Sequence, residues 1–385
     1  MPHLPAEIID KLVGTAVQEY QHTCHEGTDS RCLERGEESL LPTLSLVSRN
    51  WLPACRRELF KRNNVVFDVG RGSRKISDFL DILRGSDQLP NLPHILSFIV
   101  AITLEVPVAW GASFTRIPEE IFNFLDELAK RKKFFRPRTL RVHDHPFRFG
   151  LPDQSGICHW SDVISAISET FPTVTQLHIY GEHYPKFHHL VFFFKELQEL
   201  HVRDCWTPSS RNGDGSLHTY RFPKGLRAIQ YDLSGNDLET TLNWLRSHPP
   251  LRQMRRLLFK DVVPSSHTVI QAFINICPNL DTLCLSCFDE DETEKTTSVI
   301  DLSHNKDLDR LYFYIPGFGF TYSDSDSVRK EALLKTILLT VRTATSLRGS
   351  LEFLADARLF DEGTINWWYS LGEAISALPQ DVVIK

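Results

Sequence analysis

The sequence predicts an α/β fold in which strands of a parallel sheet alternate with helices, preceded by a short helical module. The first observation is a pattern of three apolar residues, spaced as in L-x-x-L-x-L, which recurs at steps of 23, 29, 28, 26 and 28 residues. The second is that helix-like stretches separate several of the copies. The six copies occupy residues 174–179, 197–202, 226–231, 254–259, 280–285 and 308–313.

The helix-like stretches share a common ending. Several are followed by a proline just before the next copy, as at Pro172 and Pro278. Because proline cannot continue a helix, each unit is predicted to run helix, stop, strand. Looser copies of the pattern at 99–104 and 138–142 extend the series toward the N terminus. The helix-like stretches themselves are 119–131, 162–171, 237–247 and 268–277.

This periodicity resembles the leucine-rich repeat, whose units of about 20–29 residues carry the same L-x-x-L-x-L string. The resemblance implies an irregular solenoid, because each strand buries its apolar face only by stacking on its neighbours. The copies lack the Asn or Cys that usually follows the strand in that family. Asp204, Cys205 and Asn236 fall only roughly at that position, so the curvature is not predicted.

Side chains alternate along a strand, so the residue inside each L-x-L pair and the residue two positions later should face the exposed side of the sheet. Leu258, Cys284 and Ser286 belong to these two rows. A mixture of Tyr, His and charged residues suits protein recognition, although a merely solvated face would look the same. The candidate substrate-binding residues are His178, Tyr180, His201, Arg203, Gln230, Asp232, Lys260, Tyr312 and Tyr314.

The N-terminal 62 residues predict a small helical module. A helix beginning near Pro5 places apolar residues at helical spacing over 8–16, and a second apolar face leads to Trp51. Pro53 then opens a further helix. About sixty residues in three short helices bury their apolar side chains incompletely, which favours a docking surface over internal packing alone.

The residues of this module resemble the F-box, the helical module that binds the Skp-type adaptor of cullin-RING ubiquitin ligases. The resemblance rests on Leu-Pro at 4–5, the pair Ile8 and Ile9, the Leu-x-x-Val-x-x-x-Trp helix and a closing Leu-Phe. An insert at about 20–39 makes the chain longer than the usual F-box at that point. The adaptor-binding residues that the resemblance implies are Leu4, Pro5, Ile8, Ile9, Leu44, Val47, Trp51, Leu59 and Phe60.

Three regions follow from these patterns. The helical module covers 1–62, a connecting segment covers 63–90, and the repeat region covers 91–385. The last region is expected to end in a helical cap formed by 328–344 and 365–378.

Composition narrows the function classes. With 42% hydrophobic residues the chain can fill a core, and a net charge of −6 without a long basic stretch gives nucleic-acid binding little support. A membrane partner is not expected, because no apolar run of membrane-spanning length and no signal-peptide pattern occurs. The eight scattered cysteines suggest reduced thiols and a cytoplasmic or nuclear location.

Motifs for catalysis, phosphate binding or cofactor binding are absent from the sequence. Two groups have partly metal-like spacing: Cys284-x-x-Cys287, and the set His22, Cys24, His25 and Cys32 in the insert, but neither fits a standard zinc site. We therefore expect no cofactor, no metal and no enzymatic activity.

The resemblances together imply a substrate-recognition subunit of a Skp-cullin-F-box ubiquitin ligase. Its partners would be a Skp-type adaptor, through it a cullin, and an unidentified protein substrate. Two alternatives stay open: a repeat scaffold without a ligase role, and an enzyme whose site is dispersed along the chain.

Overall fold

The computed structural model divides the chain into two compact units, Met1–Val174 (unit 1) and Thr175–Lys385 (unit 2). The residues that it describes are 5–25, 51–62, 65–68, 73–88, 93–109, 117–118, 120–147, 157–158, 160–180, 188–203, 222–232, 242, 245–246, 248–262, 266–287, 299–315, 324–355 and 365–385.

Unit 1 combines helices with parallel strands. Its helices are α1 (Ala6–His25), α2 (Leu52–Arg62), α3 (Ser73–Asp87), α4 (Glu120–Ala129) and α5 (Trp160–Thr170), with a 3-10 helix at Ile95–Phe98. Its strands are β1 (Val65–Asp68), β2 (Ala101–Ala109), β3 (Ile117–Pro118), β4 (Thr139–Phe147) and β5 (Ile157–Cys158).

The looser repeat copies at 99–104 and 138–142 are confirmed as strands, because β2 pairs in parallel with β4. β1 pairs in parallel with β2 on its other side, and β3 pairs antiparallel with β5. β1 and α3 lie in the segment that the sequence suggested was only a connection. The repeat pattern missed them because β1 carries a run of apolar residues without the L-x-x-L-x-L string.

A polar network ties α3 to the end of α4. The Arg131 guanidinium donates to Asp87 at 2.7 and 2.9 Å and to Glu127 at 2.9 Å. These hydrogen bonds hold the pKa of the Asp87 carboxyl below its ordinary value. His94 Nε2 lies 3.0 Å from the same carboxylate, while its Nδ1 accepts from Leu96 N and caps the 3-10 helix. The network fixes the helices that cover this part of the sheet.

Unit 2 is a succession of parallel strands with helices between several of them. Its strands are β6 (Gln176–Tyr180), β7 (Glu199–Arg203), β8 (Ala228–Asp232), β9 (Arg256–Val262), β10 (Thr282–Cys287), β11 (Arg310–Ile315), β12 (Ser350–Ala355) and β13 (Val383–Ile384). Its described helices are α6 (His188–Phe193), α7 (His267–Ile276), α8 (Asp324–Thr343) and α9 (Ile365–Ser376).

Strand order in unit 2 equals chain order, and every neighbouring pair from β6 to β13 is parallel. The predicted parallel strands at the six L-x-x-L-x-L copies are therefore confirmed. The helices predicted at 119–131, 162–171 and 268–277 are also present, as α4, α5 and α7. Most of the predicted helix 237–247 lies outside the described residues.

Backbone hydrogen bonds join one repeat to the next just before each strand. Arg227 N donates to Gln198 O at 2.8 Å, Arg255 N to Arg227 O at 2.9 Å, and Asp281 N to Arg255 O at 2.9 Å. Asn279 adds a side-chain bond to the carbonyl of Arg252 at 2.8 Å. The sequence lacks the usual Asn or Cys after the strands. Here the hydrogen bonds that precede the strands join neighbouring repeats.

The C-terminal region is more than the helical cap that the sequence suggested. Predicted cap helices are present as α8 and α9, but each is followed by a further strand, β12 and β13, that extends the parallel sheet. At the other terminus, α1 continues to His25 and so enters the insert predicted at 20–39. In the part of the chain that is described, no helix is both long enough and apolar enough to cross a membrane.

Candidate functional site

The α1–α2 pair has a small core of its own. Ile9 and Val13 lie one turn apart on α1 and pack with Ala54 and Cys55 of α2, and all four are buried. Trp51, just before α2, is partly buried against this cluster. α2 also contacts the 3-10 helix Ile95–Phe98, so the helix pair is supported within unit 1.

The adjacent face of α1, about 100° around the helix from Ile9 and Val13, carries two partly exposed apolar side chains. Ile8 is 44% exposed and Leu12 is 46% exposed, and their spacing of four residues places them on one helical face. Arg57 of α2 pairs with Asp10 of α1. An exposed aliphatic pair on one helical face has the character of a contact surface for another molecule.

The predicted adaptor-binding residues divide between the two sides of α1. Ile8 is exposed as expected, whereas Ile9 is only 3% exposed and belongs to the internal cluster. Ile9 as an adaptor contact stays a prediction, although the packing of α2 already covers its side chain. Leu12, which the F-box resemblance did not include, joins Ile8; its position one turn further along the helix is the signal that points to it.

The other adaptor-binding candidates are only partly within the described residues. Pro5 is exposed just before α1, and Leu59 and Phe60 lie within α2. Leu4, Leu44 and Val47 lie outside the described residues.

The second candidate surface, here called the open face, consists of the first, third and fifth residues of each strand from β6 to β12. Alternation holds as predicted: on β6 the side chains of Leu177 and Ile179 are buried, whereas Gln176, His178 and Tyr180 are partly exposed. The third-position residues, which align across the sheet, are His178, His201, Gln230, Leu258, Cys284, Tyr312 and Glu352.

Two histidines stack at one end of the open face. The rings of His178 and His201 are 4.1 Å apart and 15° from parallel, and Tyr180 Oη lies 3.2 Å from His178 Nδ1. Burial lowers the pKa of His201, against the opposing effects of the nearby Glu199 and of a hydrogen bond with Gln230. The stacked rings form a flat and moderately apolar part of the surface.

Most charged side chains on the open face form ion pairs. Arg256 Nη2 donates to Glu199 Oε1 at 2.6 Å, and Lys385 Nζ lies 3.0 Å from Glu352 Oε1. Arg203 Nε is 3.6 Å from Asp232 Oδ2. Asp232 is only 4% exposed, which corrects its prediction as an accessible contact residue: it supports Arg203 from below the surface.

A groove crosses the open face from β9 to β12. Its volume is about 630 Å³, and its apolar lining includes Leu258, Tyr312, Tyr314 and Leu354. Lys260, a predicted contact residue, lies at the same groove. The arrangement can accept a bulky side chain and a negative charge from a partner.

Among the described side chains, no cluster of three or more His, Cys, Asp or Glu is placed to hold a metal ion. The side chains of His22, Cys24, His25 and Cys287 lie outside the described ones, so neither cysteine group is tested. Cys284 is a half-buried thiol whose pKa is raised by burial. Cys32 lies outside the described residues.

Comparison with known proteins leaves both surfaces to be interpreted on their own geometry. No family model matches this chain, and no curated protein matches it. The function proposed below therefore depends on the residues themselves.

Proposed function

We propose that this chain is a substrate-recognition subunit of a Skp-cullin-F-box type ubiquitin ligase. In this proposal the α1–α2 pair binds a Skp-type adaptor, and the open face of unit 2 binds the protein to be modified. The chain performs no bond chemistry. It contributes proximity, because a substrate held near a ubiquitin-charged enzyme reacts as if it were at high effective concentration.

The observation that supports the proposal best is the uncovered pair Ile8 and Leu12. One face of their helix is covered, because Ile9 and Val13 pack against α2. The face that carries Ile8 and Leu12 is partly exposed and could contact a partner. Somewhat under half of each side chain is still exposed, so covering the remainder would contribute roughly 1 kcal/mol per residue to binding. An adaptor that supplies a hydrophobic groove would match such a helix.

Coexpression with a Skp-type adaptor and affinity capture tests the proposal. Wild-type chain should retain the adaptor, and Ile8→Glu should lose most of it, because a carboxylate cannot be buried at an apolar contact without a partner. Ile82→Glu is the matched control: Ile82 is an equally solvent-accessible isoleucine on α3, 53% exposed. Equal adaptor recovery by wild type and Ile8→Glu would contradict the proposal.

A non-catalytic repeat scaffold is the second candidate. It is favoured by the contact of α2 with the 3-10 helix Ile95–Phe98 and by the packing of Trp51 within the internal cluster, both of which suit a helical cap on the repeats. The same capture experiment separates the two candidates. A folded wild-type chain that binds no Skp-type adaptor would support the scaffold.

A further inference from the structure

The open face changes character along the sheet. Near β6 and β7 it carries the stacked histidines, whereas from β9 to β12 it carries the groove with its aromatic and aliphatic lining. Tyr314 is 41% exposed and Leu354 is 66% exposed at this groove. Large apolar side chains that are this accessible in a groove indicate a binding site for another molecule, because the described residues of the chain do not cover them.

The charge of the open face is opposite in sign to that of the chain. The described positions of the open face carry four cations, Arg203, Arg256, Lys260 and Arg310, against three carboxylates, and the bordering Lys385 and Asp309 add one charge of each sign, whereas the whole chain has a net charge of −6. A face of this kind favours partners that present negative charge.

Lys260 is the cation of this set that lacks a carboxylate partner among the described residues. The neighbouring Asp232 is buried and directed to Arg203, and Glu352 is engaged by Lys385. Arg310 lies 3.3 Å from its neighbour Asp309. The ammonium group of Lys260 is therefore both accessible and adjacent to the apolar groove.

We propose that the groove binds an extended peptide segment of a partner protein, with an acidic side chain on Lys260 and a large apolar side chain between Tyr314 and Leu354. This inference deepens the proposed function, because it names the class of segment that the open face would take from a substrate. It does not depend on adaptor binding for its test.

The spacing of the two groups follows from the sheet. Lys260 lies on β9, and Tyr314 and Leu354 lie on β11 and β12. Neighbouring strands are about 4.8 Å apart, so the two positions are separated by roughly 10–14 Å. An extended peptide advances about 3.3 Å per residue, and the acidic and apolar residues should thus be about three or four positions apart. A single lysine suits a carboxylate, whereas phosphate recognition more often uses the fork of arginine.

Selection of random dodecapeptides on the immobilised full-length chain tests the proposal. Wild type should enrich peptides with an acidic and a large apolar residue at this spacing. The Lys260→Glu variant should instead enrich a basic residue at the acidic position. For the best synthetic peptide, fluorescence anisotropy should show binding weakened at least about tenfold by Lys260→Glu or by Leu354→Ser.

Lys224→Glu is the matched control, because Lys224 is an exposed lysine in the turn before β8 and does not line the groove. It should leave the affinity for the peptide unchanged. No enrichment by wild type, or the same peptides enriched by wild type and Lys260→Glu, would overturn the proposal. Self-association of wild type that Leu354→Ser abolishes would also overturn it, by assigning the groove to a second copy of the chain.

The outcome is distinguishable from that of the adaptor experiment. Peptide selection uses the chain alone, and Lys260 and Leu354 belong to unit 2, whereas Ile8 belongs to unit 1. If the chain binds the peptides but no Skp-type adaptor, the peptide-binding proposal would stand and the ligase role would be refuted.

Discussion

Helix α1 and the sheet of unit 2 both divide their side chains into a covered and an uncovered side, but the uncovered sides differ in chemistry. On α1 it presents the aliphatic pair Ile8 and Leu12, whereas the open face presents histidine, tyrosine and paired charges. Aliphatic groups in water favour almost any apolar cover. The open face combines paired charges with an accessible apolar groove beside Lys260, so it favours a partner that complements both and is suited to discrimination.

Under the proposed function, this difference suits the two surfaces to separate tasks. A constant partner such as an adaptor requires affinity, which α1 can supply with few residues. A substrate must be distinguished from other proteins, which a larger mixed face can do. Each surface can be tested by substituting a buried residue and its exposed neighbour and comparing the loss of stability.

The largest effect is expected within one strand of the sheet. Leu283 is fully buried and Cys284, its neighbour on β10, is on the open face. Leu283→Ala should lower the free energy of unfolding by about 2–5 kcal/mol, because it removes buried methyl groups and leaves a cavity. Cys284→Ala should change it by less than about 1 kcal/mol. Urea unfolding followed by circular dichroism measures both, and similar losses would contradict the division of the sheet into two faces.

Helix α1 offers a similar comparison of a buried and an exposed neighbour, with a smaller expected effect. Ile9→Ala should destabilise the α1–α2 pair by about 2 kcal/mol, because Ile9 lies in its internal cluster. Ile8→Ala should have a smaller effect, since its side chain is 44% exposed and lies outside that cluster. Hydrogen exchange of the α1 amides measures local opening. Faster exchange in Ile8→Ala than in Ile9→Ala would mean that the covered side of α1 is misidentified.

Substitution of Gly349 tests the close contact between the residues that precede β11 and β12. A Cβ at this position would lie 2.3 Å from Asp309 Oδ1 and 2.6 Å from the Asp309 carbonyl oxygen, which also accepts from Gly349 N and Ser350 N. Gly349→Ala should therefore cost about 1–3 kcal/mol of unfolding free energy. Gly372→Ala is the control, because a Cβ there meets nothing within 4 Å, and alanine within α9 should stabilise by up to about 1 kcal/mol. A neutral Gly349→Ala, measured by the urea midpoint, would contradict this close contact.

Gly349 also explains why the repeat pattern predicted β10 and β11 but not β12. In the earlier copies the first two apolar residues are three positions apart, as in Leu308 and Leu311, whereas Leu347 and Leu351 are four apart. The additional residue is accommodated where Gly349 passes close to Asp309. β13 is only two residues long and has no such string at all, so its pairing with β12 depends on tertiary structure.

The candidate surfaces were predictable to a similar, limited extent. Alternation along strands was sufficient to put His178, His201 and Tyr312 on the open face. It could not predict that Asp232 is buried under Arg203, because that contact joins residues of different repeats. On α1, helical periodicity selects Ile8 and Ile9 alike as apolar positions. Only the position of α2 decides which of them is covered.

The smallest effect concerns the histidine stack. Burial lowers the pKa of His201 from its ordinary value of 6.5, with Lys260 and Arg256 acting in the same direction. Between that lowered value and 6.5 the unfolded chain binds more protons than the folded chain does. The contribution of His201 to stability is thus complete above about pH 6.5 and is lost as the pH falls below it, by at most about 1.4 kcal/mol per pH unit.

His201→Gln should flatten the decline in stability between pH 6.5 and 5, because glutamine does not titrate. Urea unfolding of both proteins at several pH values measures the difference, and the data at pH 8 serve as an internal reference for the loss of ring stacking and of the hydrogen bond with Gln230. The stability difference between wild type and His201→Gln should therefore shrink as the pH falls. A difference that stays constant from pH 8 to pH 5 would show that His201 takes up protons equally in the folded and unfolded chains, and that the stack on His178 does not favour the neutral ring.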